Sequence, residues 1–393
     1  MRILFNIIFS AILLIGLVGF WALFLNLWKP KKKWPAWVGY IIIIGAWFAA
    51  IRYYILNQVD LYGTMYYPLM NMFRTESYGF LFGVFLAIPV FIILSLLYWT
   101  INKIWSKTPE ENRTGRRAFF RTAATIVPLA TIGGSSYDAF AGQQEVVVTH
   151  ESFGYTNLPP GLKNYKIVQL SDIHIGPSID LDDFDEILKL ALLQKPNRVV
   201  ITGDLIDKLA WLPQVCERLT TFAKQIPDGV DFILGNHEYH HDVNKVLDAL
   251  KRNTPMNILV NSNIQIMGGK QPVYIAGVAY DNDRKKDNRE AMINKALSGI
   301  PDYAFVILLA HHPEFFEESI ERKIPLTLSG HTHGGQIVFM GMPLVPTGTP
   351  YTKGRYVEEQ SVCYVNNGTG HWFPIRINCP REITVITFFD GVA

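Results

Sequence analysis

Residues 198–204 read RVVITGD, an apolar run that ends in a glycine and an aspartate. A run that is apolar on both faces is typical of a strand that is covered on each side of its sheet. Segments with a helical pattern lie on either side of it, over 182–194 and 208–225. A strand between two such helices predicts a layered α/β domain.

The same strand and helix patterns recur along the chain on both sides of this stretch. Further strands are predicted at 165–172, 230–238, 304–312 and 324–331, and a further helix at 242–252. Beyond Gln336 the helical pattern ends, and residues 337–388 predict mostly strand. We therefore predict one α/β domain over 145–393, and roughly 250 residues suffice to bury a core.

The first third of the chain is much more apolar than the rest. Hydrophobic residues make up 49% of the sequence, and their excess lies before residue 140. A helix needs ~20 apolar residues to cross a bilayer. Residues 1–140 are therefore predicted to form an all-α transmembrane region of about four helices. The predicted spans are 3–27, 34–51, 79–100 and 118–137.

Basic residues predict the orientation of these spans. The loop between the first two spans carries KPKKK at 29–33. The third loop carries five basic residues: Lys103, Lys107, Arg113, Arg116 and Arg117. Loops rich in Lys and Arg stay in the cytoplasm, so a multi-pass protein with an extracytoplasmic C-terminal domain is predicted. RRAFFR at 116–121 resembles a twin-arginine export signal, and the alternative is a positive flank at the inner face.

Charge and cysteine content exclude other classes. The net charge of +2 gives no basic surface for nucleic acid, so no nucleic-acid partner is expected. The three cysteines lack CxxC spacing, which argues against a zinc ribbon. They are interpreted as buried thiols, and a Cys363–Cys379 bridge is the alternative.

The ends of the predicted strands carry the chemistry. Each ends in Asp, Asn or His: Asp172 and His174, Asp204, Asn236 and His237, His311, and His331 and His333. Ligand sites of α/β sheets gather at the carboxyl ends of strands. Oxygen and imidazole donors without thiolate suit two borderline divalent ions such as Mn²⁺, Fe or Zn²⁺. Two ions ~3.5–4 Å apart can polarise a phosphoryl group and supply hydroxide at neutral pH.

Five motifs in order along the chain resemble the signature of the calcineurin-like metallophosphoesterases. They are DIH, GDLID, GNHE, HHPE and GHTHGGQ, and they span residues 170–336. The tail, with PTGTPYTKGRY and PIRINCPREITVI, further resembles a bacterial subgroup exported by twin-arginine signals. The apolar front end resembles the membrane-tethered members of that subgroup. The resemblance implies a four-layer α-β-β-α sandwich with a binuclear metal centre.

The resemblance also implies roles for individual residues. The first metal would be held by Asp172, His174 and His333, and the second by Asn236, His311 and His331. Asp204 would bridge both metals. His237 would act on the phosphate as proton donor or charge stabiliser, oriented by Asp207. In this family the two histidines of GHTHG lie on different metals, and the glycines would let the backbone turn tightly enough.

The expected function is hydrolysis of a phosphodiester, phosphomonoester or pyrophosphate bond by a metal-bridging hydroxide. A lipid-linked substrate is expected, because the short linker near 138–145 would hold the domain against the bilayer. One alternative is a cytoplasmic-facing pyrophosphatase of the UDP-2,3-diacylglucosamine type. Another is a non-catalytic, metal-dependent scaffold.

Several polar residues near the motifs receive a structural interpretation. Glu238 is expected to cap or pair locally, and Arg355 and Arg376 to form structural pairs. His240, His241 and His312 are neighbours of the site with no ligand role in the family.

Overall fold

A computed structural model of the chain describes most residues beyond position 61. The described ranges are 62–104, 110–141, 146–176, 178–280, 285–343, 347–371 and 376–391, together with Val18, Trp21, Leu25, Gly45 and Phe48. The chain divides into two compact units, Met1–Gln144 and Glu145–Ala393.

Two long helices form the described part of the first unit. Helix α1 covers Tyr67–Ile104 and contains Pro89, and α2 covers Glu110–Ala141. The two helices pack closely at Gly83, where a side chain would collide with Ser135. The hydroxyl of Ser135 donates to the carbonyl of Gly79 at 3.1 Å, which links α2 to α1.

The predicted membrane spans fall only in part on described residues. Among those residues, one helical stretch, Phe82–Ile104 of α1, is long and apolar enough to cross a bilayer. The predicted span 118–137 is helical within α2 but does not reach the same apolar content. The predicted spans 3–27 and 34–51 lie outside the described residues except at isolated positions. A region of four spanning helices therefore stays a prediction.

The second unit contains two mixed six-stranded sheets. The first sheet has the order β1-β14-β2-β3-β4-β5. Its strands are β1 (Val146–Tyr155), β2 (Lys166–Leu170), β3 (Arg198–Ile201), β4 (Val230–Ile233), β5 (Asn257–Leu259) and β14 (Arg381–Asp390). Strands β2 to β5 are parallel, and β14 runs antiparallel to β2.

The second sheet has the order β12-β13-β9-β8-β7-β6. Its strands are β6 (Ser262–Met267), β7 (Val273–Gly277), β8 (Phe305–Leu309), β9 (Leu326–Ser329), β12 (Gly354–Glu358) and β13 (Ser361–Val365). Strands β7, β8, β9 and β13 are parallel, and both edge strands are antiparallel to their neighbours. A short hairpin of β10 (Val338–Phe339) and β11 (Met342–Pro343) stands apart.

The main core lies between the two sheets. Ile167 and Val200 of the first sheet share one buried cluster with Ile307 and Leu328 of the second. On the other face of the second sheet, Leu308 joins a separate cluster with helix residues. Side chains of a strand alternate between its faces, so β7 and β8 contribute to both clusters. The α/β prediction is confirmed, and the fold has two mixed sheets.

Helices connect the strands of this unit. They are α3 (Leu181–Leu193), α4 (Leu212–Ala223), α5 (Asn236–His240), α6 (Val243–Asn253), α7 (Lys286–Ala296) and α8 (Phe316–Glu321). Helix α3 begins in a capping box, since Asp180 and Asp183 each accept a backbone N–H of the other. It buries Phe184, Ile187 and Ala191 on one face.

The predicted elements overlap β2, β3, β4, β8, β9, α3, α4 and α6, although the predicted strand 230–238 runs into α5. The sequence interpretation gave no separate element for β5, β6, β7, α5, α7 or α8. The resemblance implied two sheets, and the structure has two. Cys216, Cys363 and Cys379 are buried free thiols. The interpretation as thiols is therefore confirmed, and the Cys363–Cys379 bridge is wrong.

Candidate metal centre

The predicted site residues lie just beyond the carboxyl ends of five strands that belong to both sheets. Asp172 and His174 follow β2, Asp204 follows β3, Asn236 and His237 follow β4, His311 follows β8, and His331 and His333 follow β9. Three groups of side chains converge there, in each of which three possible ligand atoms lie within 4.8 Å of one another, and the third, His174, Asp207 and His237, shares His174 with the first.

The first group consists of Asp172, His174 and His333. The Nε2 atoms of the two histidines are 3.0 Å apart. An Asp172 carboxylate oxygen lies 3.5 Å from Nε2 of His333. All three residues are buried, so their donor atoms face each other rather than water.

The second group consists of Asp204, His311 and His331, with Asn236 beside them. The side-chain oxygen of Asn236 lies 3.0 Å from Nε2 of His311 and 2.9 Å from Nδ1 of His331. The other ring nitrogen of His311 lies 2.8 Å from the carbonyl of Thr202. A proton on Nδ1 would therefore donate to that carbonyl, which directs the Nε2 lone pair into the group.

Asp204 lies between the two groups. One of its carboxylate oxygens is 3.3 Å from Nε2 of His311 and 3.6 Å from Nε2 of His174. The same oxygen therefore faces a member of each group.

The backbone around the site is strained. Five of the proposed ligands have φ angles between 50° and 70°, in the left-handed region: Asp172, His174, Asp204, His331 and His333. Residues other than glycine rarely adopt this region, and such strain concentrates at functional sites. A side chain at Gly330 would collide with Ser171 and with the Asp172 carboxylate, so glycine is required there for space. Gly334, with φ of 60°, is required for the turn itself.

The donor atoms fit divalent metal ions. Ring nitrogens that approach one another to 3.0 Å and 3.2 Å without a bridging proton donor would repel through their lone pairs. A cation between them removes that repulsion. Carboxylate, amide and imidazole donors without thiolate suit Mn²⁺, Fe or Zn²⁺. The residues present therefore fit the metals that the motifs imply.

His237 lies beside these groups and is held by Asp207. Its Nδ1 is 2.5 Å from a carboxylate oxygen of Asp207, and its ring centre is 4.4 Å from that of His174. His237 is 9% exposed, so it is nearly but not fully buried. An imidazole in this position can give a proton to a leaving oxygen.

Electrostatics favour the charged forms of these two residues. Burial alone would lower the pKa of His237, but Asp204 and Asp207 raise it to about 9. Burial also opposes the ionisation of Asp207, but the neighbouring His174 and His237 hold its pKa well below the usual range. At neutral pH the pair is therefore an imidazolium and a carboxylate, which suits a proton donor.

Glu238 has a larger role than the local cap that its position in the sequence indicated. It is fully buried, and its carboxylate accepts from the backbone N–H groups of Asp204, Leu205 and Gly235 at 2.8–3.0 Å. It thereby joins the loop after β3 to the start of α5. A Glu three residues after the Gly that begins a helix is the sequence signal for such a cap.

The remaining residues near the motifs have structural contacts. The ring of His312 lies 3.7 Å from that of His331, and Nε2 of His241 lies 3.5 Å from the Asp207 carboxylate. Arg355 pairs with Glu151 at 2.7 Å.

Comparison with known proteins agrees with this geometry. A sequence model of the calcineurin-like phosphoesterase family matches residues 165–335, which contain every proposed ligand. An uncharacterized metallophosphoesterase of Campylobacter jejuni is 30% identical over 353 residues, which cover 88% of this chain and 87% of the relative.

Two further relatives extend the comparison. The uncharacterized metallophosphoesterase YkuE of Bacillus subtilis is 30% identical over 70% of this chain and 98% of its own length. A transmembrane protein with metallophosphoesterase domain from Danio rerio is 28% identical over 77% of this chain and 71% of its own length. The chain therefore belongs to the calcineurin-like metallophosphoesterases and is a metal-dependent phosphoric ester hydrolase.

Proposed function

We propose that this chain is a membrane-anchored, two-metal phosphoesterase that hydrolyses a phosphate or pyrophosphate ester of a lipid-linked substrate outside the cytoplasm. The observation that carries the two-metal part is the position of Asp204, whose carboxylate oxygen faces His174 in one ligand group and His311 in the other. The proposal also places the chain in the membrane-tethered, twin-arginine-related bacterial subgroup.

Two divalent ions, which could be Mn, Fe or Zn, would occupy the two groups. Asp172, His174 and His333 would hold the first, Asn236, His311 and His331 the second, and Asp204 would contact both. When bound, such ions polarise the phosphoryl group and supply hydroxide at neutral pH. The protonated His237 would neutralise charge on the phosphate and give its proton to the leaving oxygen, while Asp207 keeps its ring in place.

Membrane anchoring is supported by the first unit. The stretch Phe82–Ile104 is long and apolar enough to span a bilayer, and Ile93, Leu96 and Trp99 are each more than half exposed on it. Exposed apolar side chains of this size are favourable against lipid and unfavourable against water. Transmembrane proteins from Danio rerio and Bos taurus are among the similar proteins.

The length of the connection favours a lipid substrate. Helix α2 ends at Ala141 and β1 begins at Val146, five residues later. Five residues reach at most about 18 Å, which is less than the ~40–45 Å thickness of a bilayer with its headgroups. If α2 leaves the membrane, the tether keeps the hydrolase near lipid phosphates at high effective concentration.

The substrate is tested with the full chain purified in detergent micelles and loaded with Mn²⁺. Phosphorus NMR would follow phospholipids, lipid pyrophosphates and nucleotide-diphosphate lipids, beside a small soluble phosphodiester. We expect kcat/KM to be highest for a lipid. Turnover of the soluble ester with no turnover of any lipid would refute the lipid proposal and leave the phosphoesterase activity intact.

Orientation is tested by fusing reporters after Ala393. Alkaline phosphatase folds actively outside the cytoplasm and green fluorescent protein inside it, so an active phosphatase fusion and a dark fluorescent fusion are expected. The reverse pattern would favour the cytoplasmic pyrophosphatase, since nucleotide-linked sugars are cytoplasmic. The scaffold alternative is set aside because every proposed ligand and His237 are present.

A further inference from the structure

Arg376 lies against the side of His333 that faces away from the ligand group. Its Nη2 atom is 3.1 Å from Nδ1 of His333, while Nε2 of the same ring faces His174 at 3.0 Å. Arg376 is only 3% exposed. A buried guanidinium therefore packs against one edge of a ring whose other edge faces the metal centre.

The same guanidinium holds the loop between β13 and β14. Nη2 donates to the carbonyls of Asn367 at 2.9 Å and Gly370 at 2.5 Å, and Nη1 donates to the carbonyl of Cys379 at 3.1 Å. The Cys379 thiol in turn donates to the carbonyl of His333 at 3.2 Å. Arg376 thus organises carbonyls on both sides of His333.

That loop is also attached to the strand end that carries Asp172. The N–H of Thr369 donates to the carbonyl of Ser171 at 2.7 Å, and the N–H of Gly370 to the carbonyl of Asp172 at 3.0 Å. A side chain at Gly368 would lie 2.8 Å from Nδ1 of His333 and 3.2 Å from Cβ of Asp172. The loop therefore fills the space between two proposed ligands of the first metal.

A buried cation is costly unless it is well hydrogen-bonded. Arg376 is such a cation, because a guanidinium is always protonated in proteins. Its forked donors satisfy several carbonyls at fixed angles at once, which the single ammonium of a lysine cannot do.

We propose that Arg376 is a positioning residue for the first metal: its guanidinium anchors the 366–370 loop and the Cys379 carbonyl around His333, so that the His174–His333–Asp172 group is formed before a metal binds. This inference rests on the proposed two-metal site. The family match ends at residue 335, so Arg376 and the loop come from a part of the chain that the match does not cover.

The test compares Arg376→Lys with Arg198→Lys in the metal-free full chain. Arg198 is an equally buried arginine that pairs with Asp231 at 2.6 Å at the start of β3, on the opposite end of that strand from Asp204. Free Mn²⁺ would be measured by electron paramagnetic resonance during titration, and thermal unfolding would be recorded without metal.

Both substitutions are expected to lower Tm, but only Arg376→Lys should change metal binding. Wild type and Arg198→Lys should bind two Mn²⁺ with the same affinities. In Arg376→Lys one of the two should bind ~10–100-fold more weakly, as is usual when the outer residues that orient a metal ligand are lost. If Arg376→Lys does not fold, Arg376→Gln is titrated instead, and the same loss is expected because the fork is lost.

Two results would overturn the inference. One is wild-type affinity for both Mn²⁺ ions in the folded Arg376 variant. The other is an equal loss of affinity in Arg198→Lys, which would trace the effect to general destabilisation. Failure of the wild type to bind two ions would instead refute the two-metal proposal, and this outcome is visible before any variant is measured.

Discussion

The carboxylate of Asp207 lies 2.5 Å from Nδ1 of His237 through one oxygen. Its other oxygen lies 3.3 Å from Nδ1 of His174, a proposed metal ligand. One carboxylate therefore orients both the proposed proton donor and a proposed ligand. The chemistry of the phosphate and the binding of metal are coupled at this side chain.

Replacing His237 by alanine should lower kcat and leave the metal content unchanged. His237 is proposed to stabilise the transition state and not to bind a metal. General acids typically raise the rate 10²–10⁴-fold. Steady-state kinetics and metal analysis of the same purified sample would check this. Loss of metal in His237→Ala would contradict the assignment.

Asp207→Asn should lower kcat less than His237→Ala does. It should also weaken the binding of the first metal. An asparagine can still contact His237, but it carries no charge to stabilise the imidazolium or to polarise His174, and such outer partners are worth ~10–100-fold in metal affinity. Mn²⁺ titration beside kinetics would separate the two effects. Unchanged Mn²⁺ affinity would show that the contact with His174 has no function.

Of these substitutions, Asp204→Asn should remove activity most completely. It should also weaken the binding of both metals. One carboxylate oxygen faces both ligand groups, and an amide oxygen is a poor bridge because it carries no negative charge. Asp172→Asn is the matched control, because Asp172 belongs to one group and should weaken one ion. Near-normal turnover of Asp204→Asn would show that the assignment of the site is wrong.

Glu238→Gln should destabilise the fold and weaken metal binding together. The amide NH₂ would face backbone N–H groups that now have a carboxylate acceptor, and each buried donor left unsatisfied costs about 1–3 kcal/mol. Glu318→Gln is the control, since Glu318 is also fully buried but pairs with Arg289. Tm should fall for both variants, whereas Mn²⁺ affinity should fall only for Glu238→Gln. Equal metal affinity in the two variants would contradict a role in shaping the Asp204 loop.

Asp183→Asn should stabilise the protein at neutral pH and have little effect near pH 4. Burial and then the nearby Asp180 raise the pKa of Asp183 to about 6. Its folded-state pKa exceeds the unfolded value, so the ionised carboxylate destabilises the fold above pH 6, and this penalty disappears below pH 4. An asparagine oxygen can still accept the N–H of Asp180, so the gain at pH 7.5 should be about 1–2 kcal/mol.

The measurement is the difference in Tm between this variant and the wild type at pH 4, 5.5 and 7.5. Asp182→Asn, which removes a carboxylate at the exposed neighbouring position, is the control for the loss of one negative charge. A difference in Tm for Asp183→Asn that stays constant over this range would rule out the proposed titration.

Much of the site could be predicted from local sequence. Strand β8, FVILL, is apolar on both faces because it is buried on both faces, so it is visible without a structure. Asp, Asn or His follows each of the five predicted strands, and this repetition indicated a shared site. These two signals gave the α/β class and the residues that the structure brings together in two ligand groups.

Other features depended on contacts between distant parts of the chain. Periodicity reports whether a strand is buried but not which strand it pairs with, so it did not show that β2, β3 and β4 lie in one sheet and β8 and β9 in the other. Glu238 lies under the Asp204 loop and Arg376 lies beside His333. Both contacts join residues distant in the chain, so the local pattern did not show them.

The sequence by itself determined the buried strands, the chemistry of their ends and the family, because hydrophobic pattern and short motifs are local properties. The resemblance implied how the ligands divide into two groups, and only the tertiary structure placed one Asp204 oxygen 3.3 Å from His311 and 3.6 Å from His174. It also decided that five of them take left-handed backbone angles and that the tail beyond residue 335 reaches back to His333. Those features follow from packing two sheets face to face, which brings together residues far apart in the chain and stabilises conformations that no short segment would adopt alone.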